Sequence, residues 1–175
     1  MRKRDVVLFF PLVYAVAVGA ALAVYEATYH PLQTVSTPPP NFPVHTLTSG
    51  AVEKLVSEIV PKNYGLLDRK YATTDVANLS KLAAAFLSTK KEYREDLYDC
   101  DDYAIAFKAF ASERGVTAVG IVYNCNNVSP HTFNVLVSYD GEVFVFDATN
   151  GAFFPYGAGP PDGRYELGGC AYLII

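Results

Sequence analysis

Apolar residues recur with a helical period in three stretches of the chain. The first runs from a cap at Thr48 to a stop at Pro61, the second begins near Asp75, and the third begins at Cys100 and is expected to stop at Gly115. Their apolar faces are formed by Val52, Leu55, Val56 and Ile59, by Val76, Leu79, Leu82, Ala83, Phe86 and Leu87, and by Tyr103, Ala104, Phe107, Phe110 and Ala111.

The pattern changes to short extended runs after the third helix. Residues 117–124, 131–138 and 142–148 are expected to be strands, and "CAYLII" at the C-terminus a final short one. Asp140–Gly141 between two of these runs indicates a hairpin. Helices followed by antiparallel strands predict an α+β domain.

The N-terminal part has a different character. Residues 6–25 are apolar and uncharged, long enough to cross a bilayer, and a basic stretch, 2–4, precedes them. We therefore expect residues 1–25 to be a single-pass transmembrane anchor with a cytoplasmic N-terminus. The alternative is a cleaved signal segment, with "ALA" at 21–23 as the cleavage site, which would release a secreted protein.

The rest of the chain divides into a linker and one domain, both placed outside the cytoplasm. Residues 26–48 are Pro-rich and predict an extended linker, and residues 49–175 the globular domain. The 175 residues are 51% hydrophobic, which excludes disorder throughout. The net charge of −4 argues against nucleic acid as a partner. Oligomeric state is left open.

The chain has three cysteines: Cys100, Cys125 and Cys170. An odd number leaves at least one thiol free, and disulfides persist outside the cytoplasm. A Cys125–Cys170 bridge and three inert buried thiols both stay open. Cys100 lies in "YDCDDYA", among acids that would raise the pKa of a thiol.

Thiol chemistry needs a base and a group that orients the base. His131 is the one histidine in the predicted domain, since His30 and His45 fall in the linker. Asp147, at the end of the strand expected beside His131, is the candidate for orienting it. The alternative is that Asp147 only caps the turn in "DATNG".

The hairpin decides between these roles. A two-residue loop at Asp140–Gly141 would turn His131 and Asp147 to opposite faces of the sheet, because side chains alternate along a strand. A three-residue loop, Tyr139–Gly141, with Gly141 left-handed, would pair Phe133 with Asp147 and put His131 diagonally beside the carboxylate. A thiol site therefore predicts the three-residue loop.

The ordered set "DCDDYAIAFKAFASERGVTAVGIV…HTFNVLVSYDGEVFVFDATNG" resembles the transglutaminase-like superfamily of papain-like cysteine hydrolases, closest to the bacterial transglutaminase-like cysteine proteinases. The resemblance covers about residues 75–150. It implies a helix packed on an antiparallel sheet, with Cys100 as nucleophile, His131 as general base and acid, and Asp147 as the orienting group. Phe133 stands where many transglutaminase relatives have Trp.

The resemblance also implies a function and its partners. We expect a membrane-tethered extracytoplasmic cysteine peptidase or amidase acting on a protein or peptide. A second hypothesis is a non-catalytic surface or assembly module that keeps the transglutaminase-like fold. The backbone N–H of Cys100 and the side chains of Tyr93 or Tyr98 are candidates for the oxyanion hole.

The acids beside the nucleophile have two interpretations. Asp99, Asp101 and Asp102 fit the start of a helix, where carboxylates cap backbone N–H groups and complement the dipole. Some members of the resembled family use acids at the positions of Asp99 and Asp101 to bind calcium, so the resemblance implies Ca²⁺ as a possible cofactor, although no cofactor is required.

Overall fold

The computed structural model describes residues 42–89, 91–125, 130–159, 163–167 and 169–175. They belong to the second of two units into which the chain divides, Thr37–Ile175. Within them lie three helices, α1 (Ser49–Ile59), α2 (Val76–Leu87) and α3 (Cys100–Glu113). The strands are β1 (His45–Thr48), β2 (Tyr64–Gly65), β3 (Lys70–Thr73), β4 (Val119–Asn124), β5 (His131–Val137), β6 (Val143–Asp147), β7 (Ala152–Pro155) and β8 (Tyr172–Ile174).

Each helix begins where a side chain can cap it. The Thr48 hydroxyl accepts a hydrogen bond from the Ala51 N–H at 3.3 Å, and a carboxylate oxygen of Asp75 accepts one from the Asn78 N–H at 2.9 Å. Asp99 is the N-cap of α3, and Gly115 follows that helix with φ +78°. Short polar side chains satisfy N–H groups that have no partner inside a helix. The predicted starts of all three helices are confirmed.

The main sheet has six strands in the order β2-β8-β4-β5-β6-β7, and β1 pairs with β3 in a separate ribbon. The two faces of the main sheet carry different helices. Side chains of α1, such as Val52 and Val56, pack with Phe133 and Val145, whereas α2 and α3 pack on the opposite face. The sheet is therefore covered by helices on both sides.

The prediction of a helix packed on an antiparallel sheet is wrong in two respects. Helices cover both faces of the sheet and not one, and the sheet is not fully antiparallel, because β2 pairs with β8 in parallel. Strands this short leave almost no pattern to detect, because β2 has two residues and neither β1 nor β3 has more than four. β1 also includes His45, so strand structure begins within the predicted linker.

The expected transmembrane anchor comprises residues 1–25. Residues 6–25 lie outside the described residues. In the described part of the chain no helix has the length and apolarity to cross a bilayer, and α3, the longest, has 14 residues. The expected single-pass localisation therefore has no support from any described helix. Secretion stays an untested prediction.

The β5–β6 hairpin has the three-residue loop. Asn134 pairs with Phe146 and Val137 with Val143, and the Ser138 N–H donates to the Glu142 carbonyl at 2.8 Å. Gly141 has φ +83°. This register places His131 and Asp147 on the same face of the sheet, so the predicted turn is confirmed.

Gly141→Ala should lower the free energy of unfolding by about 1 kcal/mol, because a left-handed backbone is unfavourable for a residue with a Cβ. Nothing lies within 4 Å of a Cβ built at Gly141, so the backbone is the source of the cost. The matched control is Gly50→Ala, equally unobstructed but inside α1. It should leave stability unchanged or raise it by up to about 1 kcal/mol. Urea unfolding measures both, and an equal effect would contradict the assignment.

Candidate functional site: a thiol, an imidazole and a carboxylate

Cys100 is the first residue of α3, and its side chain is half-buried. The other two cysteines, Cys125 and Cys170, form a disulfide. The bridge confirms one of the two arrangements that the sequence left open. Cys100 is therefore the free thiol of the chain, at the positive end of a helix dipole, where a thiolate is stabilised.

His131 opens β5, and its ring reaches the carboxylate of Asp147. His131 Nε2 lies 2.7 Å from Asp147 Oδ2, the imidazole is 11% exposed, and the Asp147 side chain is completely buried. The Cys100 thiol also interacts with this imidazole, and the interaction lowers the pKa of the thiol. Since Nε2 is occupied by Asp147, Nδ1 is the nitrogen left for the sulfur.

Asp147 accepts hydrogen bonds through both of its carboxylate oxygens. Oδ1 receives the backbone N–H of Thr149 at 2.9 Å and the Thr149 hydroxyl at 2.5 Å. Oδ2 receives Asn150 Nδ2 at 2.9 Å and the Tyr165 hydroxyl at 2.7 Å, in addition to His131. The carboxylate thus caps the turn after β6 and also forms a hydrogen bond with His131.

The three groups shift one another's ionisation. The interaction with His131 lowers the pKa of the Cys100 thiol, and a backbone hydrogen bond at Thr132 lowers it further, whereas burial alone would raise it. Burial alone would lower the pKa of His131, but hydrogen bonds with Asp147 and Cys100 raise it to about 9. Burial likewise opposes the ionised form of Asp147, yet the His131, Thr149 and Tyr165 donors hold its pKa far below the usual carboxyl range. The arrangement favours a thiolate beside an imidazolium.

The acids around Cys100 are arranged as helix-start residues. Asp99 and Asp102 form a capping box, in which the Asp99 N–H donates to Asp102 Oδ2 at 3.4 Å. Asp99 and Asp101 share a hydrogen bond, which lowers the pKa of Asp99 and raises that of Asp101. These carboxylates serve the start of α3, while the helix dipole and the interaction with His131 favour the thiolate of Cys100.

The fit to calcium is incomplete. One polar atom each from Asp99, Cys100 and Asp101 lies within 4.8 Å of the others. Calcium takes six to eight oxygen ligands, and a thiol is a soft ligand that it does not prefer. Two carboxylates supply part of such a shell, and no further oxygen ligand is identified among the described residues. Calcium stays a prediction, and no chemical step here depends on it.

The tyrosines considered for the oxyanion hole lie beside α3. Tyr93 is 52% exposed and stacks on Tyr103 with ring centroids 6.2 Å apart, and Tyr98 meets Tyr103 edge-to-face at 4.9 Å. Their assignment as oxyanion donors stays a prediction, as does that of the Cys100 N–H. Phe133, in the slot of a family tryptophan, is fully buried with its ring 6.2 Å from that of His131.

Sequence reasoning missed the residues that support Asp147. Thr149 and Asn150 come two and three residues after it, and an aspartate followed at this spacing by polar residues is a turn signal that could have identified them. Tyr165 lies in a Gly/Pro-rich loop, 18 residues from Asp147, where no local pattern indicates its position. Only the folded chain brings its hydroxyl to the carboxylate.

Comparison with known proteins points to lectins. A family model described as Agglutinin C-terminal matches residues 71–153. Among solved structures, a PSL1a–E64 complex is 18% identical, with a TM-score of 0.59, and covers 74% of this chain and 51% of its own. A structure of Polyporus squamosus lectin bound to the epitope Neu5Acα2-6Galβ1-4GlcNAc is 16% identical, with a TM-score of 0.58, and covers 74% of this chain and 49% of its own. This chain spans about half the length of both. A search of curated proteins found no match.

These findings correct the family resemblance inferred from the sequence. The region taken as transglutaminase-like, about residues 75–150, coincides with the agglutinin match at 71–153. A cysteine at a helix start with a later histidine and aspartate was too general a pattern to separate the two families. The fold is a sheet-rich lectin-like one with three described helices, not a transglutaminase-like one.

The same findings overturn the cysteine peptidase or amidase interpretation and its protein or peptide substrate, because the named relatives are an agglutinin domain and lectins. The alternative of a binding module agrees better with them, without its transglutaminase-like fold. None of the comparisons tests the roles of Cys100, His131 and Asp147.

The His131–Asp147 pair should make stability pH-dependent. The pKa of His131, about 9 in the folded protein, exceeds the ordinary value of 6.5, so its stabilisation is complete below pH 6.5 and is lost as the pH rises through 9. In a Cys100→Ala background, which removes thiol ionisation and also the part of the raised His131 pKa that comes from Cys100, the free energy of unfolding should fall by less than about 3 kcal/mol between pH 6 and pH 10. Urea unfolding at several pH values measures the fall.

The matched control is His131→Gln in the same background. The difference between the two proteins isolates His131 from every other group that titrates in this range. Parallel pH profiles for the two proteins would contradict a raised histidine pKa.

Proposed function

We propose that this chain is a domain of a lectin-like, carbohydrate-binding protein, and that Cys100, His131 and Asp147 form a reactive thiol centre within it. The agglutinin and lectin similarities support the first part. One observation carries the second: a buried Asp147 carboxylate holds His131 at 2.7 Å while the same imidazole hydrogen-bonds the free thiol.

The three residues divide the chemistry. Cys100 supplies the sulfur nucleophile, His131 holds the proton that the thiol gives up, and Asp147 fixes the imidazole and stabilises its charge. Attack of the thiolate on an electrophilic carbon forms a carbon–sulfur bond while the bond from that carbon to its leaving group breaks, and the imidazolium gives its proton to that leaving group. The three residues would thus act as a nucleophile, a proton acceptor and the group that orients that acceptor.

Alkylation tests the thiol centre. Iodoacetamide should modify Cys100 at pH 7 at least about ten times faster in the wild type than in His131→Ala, since one unit of thiol pKa changes the thiolate fraction tenfold near neutral pH. Labelling is followed by intact mass under non-reducing conditions, which keep Cys125–Cys170 bridged.

The matched control is His45→Ala. His45 lies in β1 and stacks on Tyr139 with ring centroids 3.9 Å apart, so its loss perturbs a histidine outside the site. Its labelling should equal that of the wild type. E64, an epoxide that opens on attack by a thiolate, provides a second probe, and its adduct should be absent in Cys100→Ala. Equally slow labelling of wild type and His131→Ala would refute activation of the thiol.

A cavity of about 270 Å³ supports the carbohydrate-binding part. Phe154, Tyr156 and Tyr165 contribute aromatic lining, and Glu166 contributes a carboxylate. Small-molecule sites are of about 300–1,000 Å³ and combine aromatic walls with a few polar groups. An aromatic face for the apolar side of a sugar ring and an acceptor for its hydroxyl groups are both present.

Titration calorimetry with Neu5Acα2-6Galβ1-4GlcNAc, compared with Galβ1-4GlcNAc, tests this part. Phe154→Leu should weaken binding about 3- to 10-fold, the scale of one aromatic contact. Tyr123→Leu, at a tyrosine that is 51% exposed outside the cavity, should leave it unchanged. Absence of binding to either sugar by the wild type would refute carbohydrate binding by this chain and leave the thiol result standing.

A further inference from the structure

Tyr165 is a buried tyrosine that contacts both Asp147 and His131. Its hydroxyl donates to Asp147 Oδ2 at 2.7 Å and accepts from Asn150 Nδ2 at 3.1 Å. Its ring meets the rings of His131 and Phe133 edge-on, at centroid distances of 6.1 and 5.3 Å. One side chain therefore contacts both members of the carboxylate–imidazole pair.

A buried amide holds the backbone on each side of Tyr165. Asn124, the last residue of β4, is completely buried, and its Nδ2 donates to the carbonyls of Arg164 at 2.9 Å and Glu166 at 3.0 Å. Asn124 also pairs with His131 across the β4–β5 ladder. The strand that positions His131 thus also positions the segment that carries Tyr165.

We propose that Tyr165 is a positioning residue for His131. Its hydroxyl holds in place the Asp147 oxygen that is hydrogen-bonded to the imidazole. The inference rests on the proposed thiol centre and adds a fourth side chain to it. Asn124 is the anchor that keeps the tyrosine in place.

The hydrogen bonds on Asp147 explain why the hydroxyl matters. Thr149 holds Oδ1, while Oδ2 faces His131 with Asn150 and Tyr165 as its other donors. Asn150 also donates to the Tyr165 hydroxyl, so the amide and the phenol support each other. Removing the hydroxyl leaves Oδ2 with one neutral donor besides the imidazole, and that donor loses its second partner.

Two consequences of losing the hydroxyl oppose each other. A less firmly held carboxylate would pair with the imidazole for less of the time, which lowers the pKa of His131. A carboxylate with one donor fewer would carry more charge towards the imidazole, which raises that pKa. Positioning requires the first effect to dominate, so the direction of the change is decisive.

Tyr165→Phe keeps the ring and removes only the hydroxyl. NMR titration of the His131 ring should show a pKa that falls from about 9 towards 6.5, and iodoacetamide labelling of Cys100 at pH 7 should slow by about tenfold, the scale of a hydrogen bond to a charged group. The matched control is Tyr71→Phe. Tyr71 is a fully buried tyrosine away from the site, whose hydroxyl donates to the Ile175 carbonyl at 3.1 Å and accepts from the Asp68 N–H at 2.9 Å.

Tyr71→Phe should lower stability without changing the His131 titration or the labelling rate. An unchanged His131 pKa in Tyr165→Phe would make the tyrosine structural only, and a raised pKa would make its effect electronic; each result overturns positioning. The titration does not require a reactive thiol. Slow labelling of the wild type that does not depend on His131 would therefore refute the proposed function, whereas an activated wild type unaffected by Tyr165→Phe would refute this inference alone.

Discussion

The hydrogen bond between His131 and Asp147 depends on how many residues the chain uses to turn from one strand into the next. With three residues in the turn, imidazole and carboxylate share a face and meet at 2.7 Å. With two, every side chain of one strand would move to the other face. Gly141 permits the longer turn because its backbone adopts φ +83° without a steric penalty. The chemistry at one end of the hairpin is therefore set by backbone freedom at the other.

Burial gives this hydrogen bond its strength. The Asp147 carboxylate is inaccessible to solvent, and an unpaired ion at such a place would be costly. Five hydrogen bonds stabilise the carboxylate. One comes from His131, and the other four come from Thr149, Asn150 and Tyr165. Near Cys100 the problem is the reverse, since too many acids lie close together. There the acids cap the start of α3, and the interaction with His131 lowers the pKa of the Cys100 thiol.

Local sequence predicted the starts of the helices and the length of the β5–β6 turn because each depends on short-range chemistry. Thr48, Asp75 and Asp99 are residue types that cap helices well. For a given number of loop residues, the residue numbers also tell which side chains of a hairpin share a face of the sheet. The parallel pairing of β2 with β8 could not be read this way, because it joins Tyr64 to Leu173 across most of the domain. Tyr165 was missed for the same reason. The family was misjudged because a cysteine at a helix start followed by a histidine and an aspartate can occur in unrelated folds.

The Cys125–Cys170 bridge spans 45 residues, a segment that includes β5, β6 and β7 as well as Tyr165. On a chain-entropy view, closing a loop of that size in the unfolded state stabilises the fold by about 4 kcal/mol. Domains of this size are stable by about 5–15 kcal/mol in all, so one covalent bond accounts for a large share. A reducing environment would weaken the fold as a whole and would release the same loop that places a hydroxyl on Asp147. Reduction of this single bond would therefore affect both the stability of the domain and the segment that carries Tyr165.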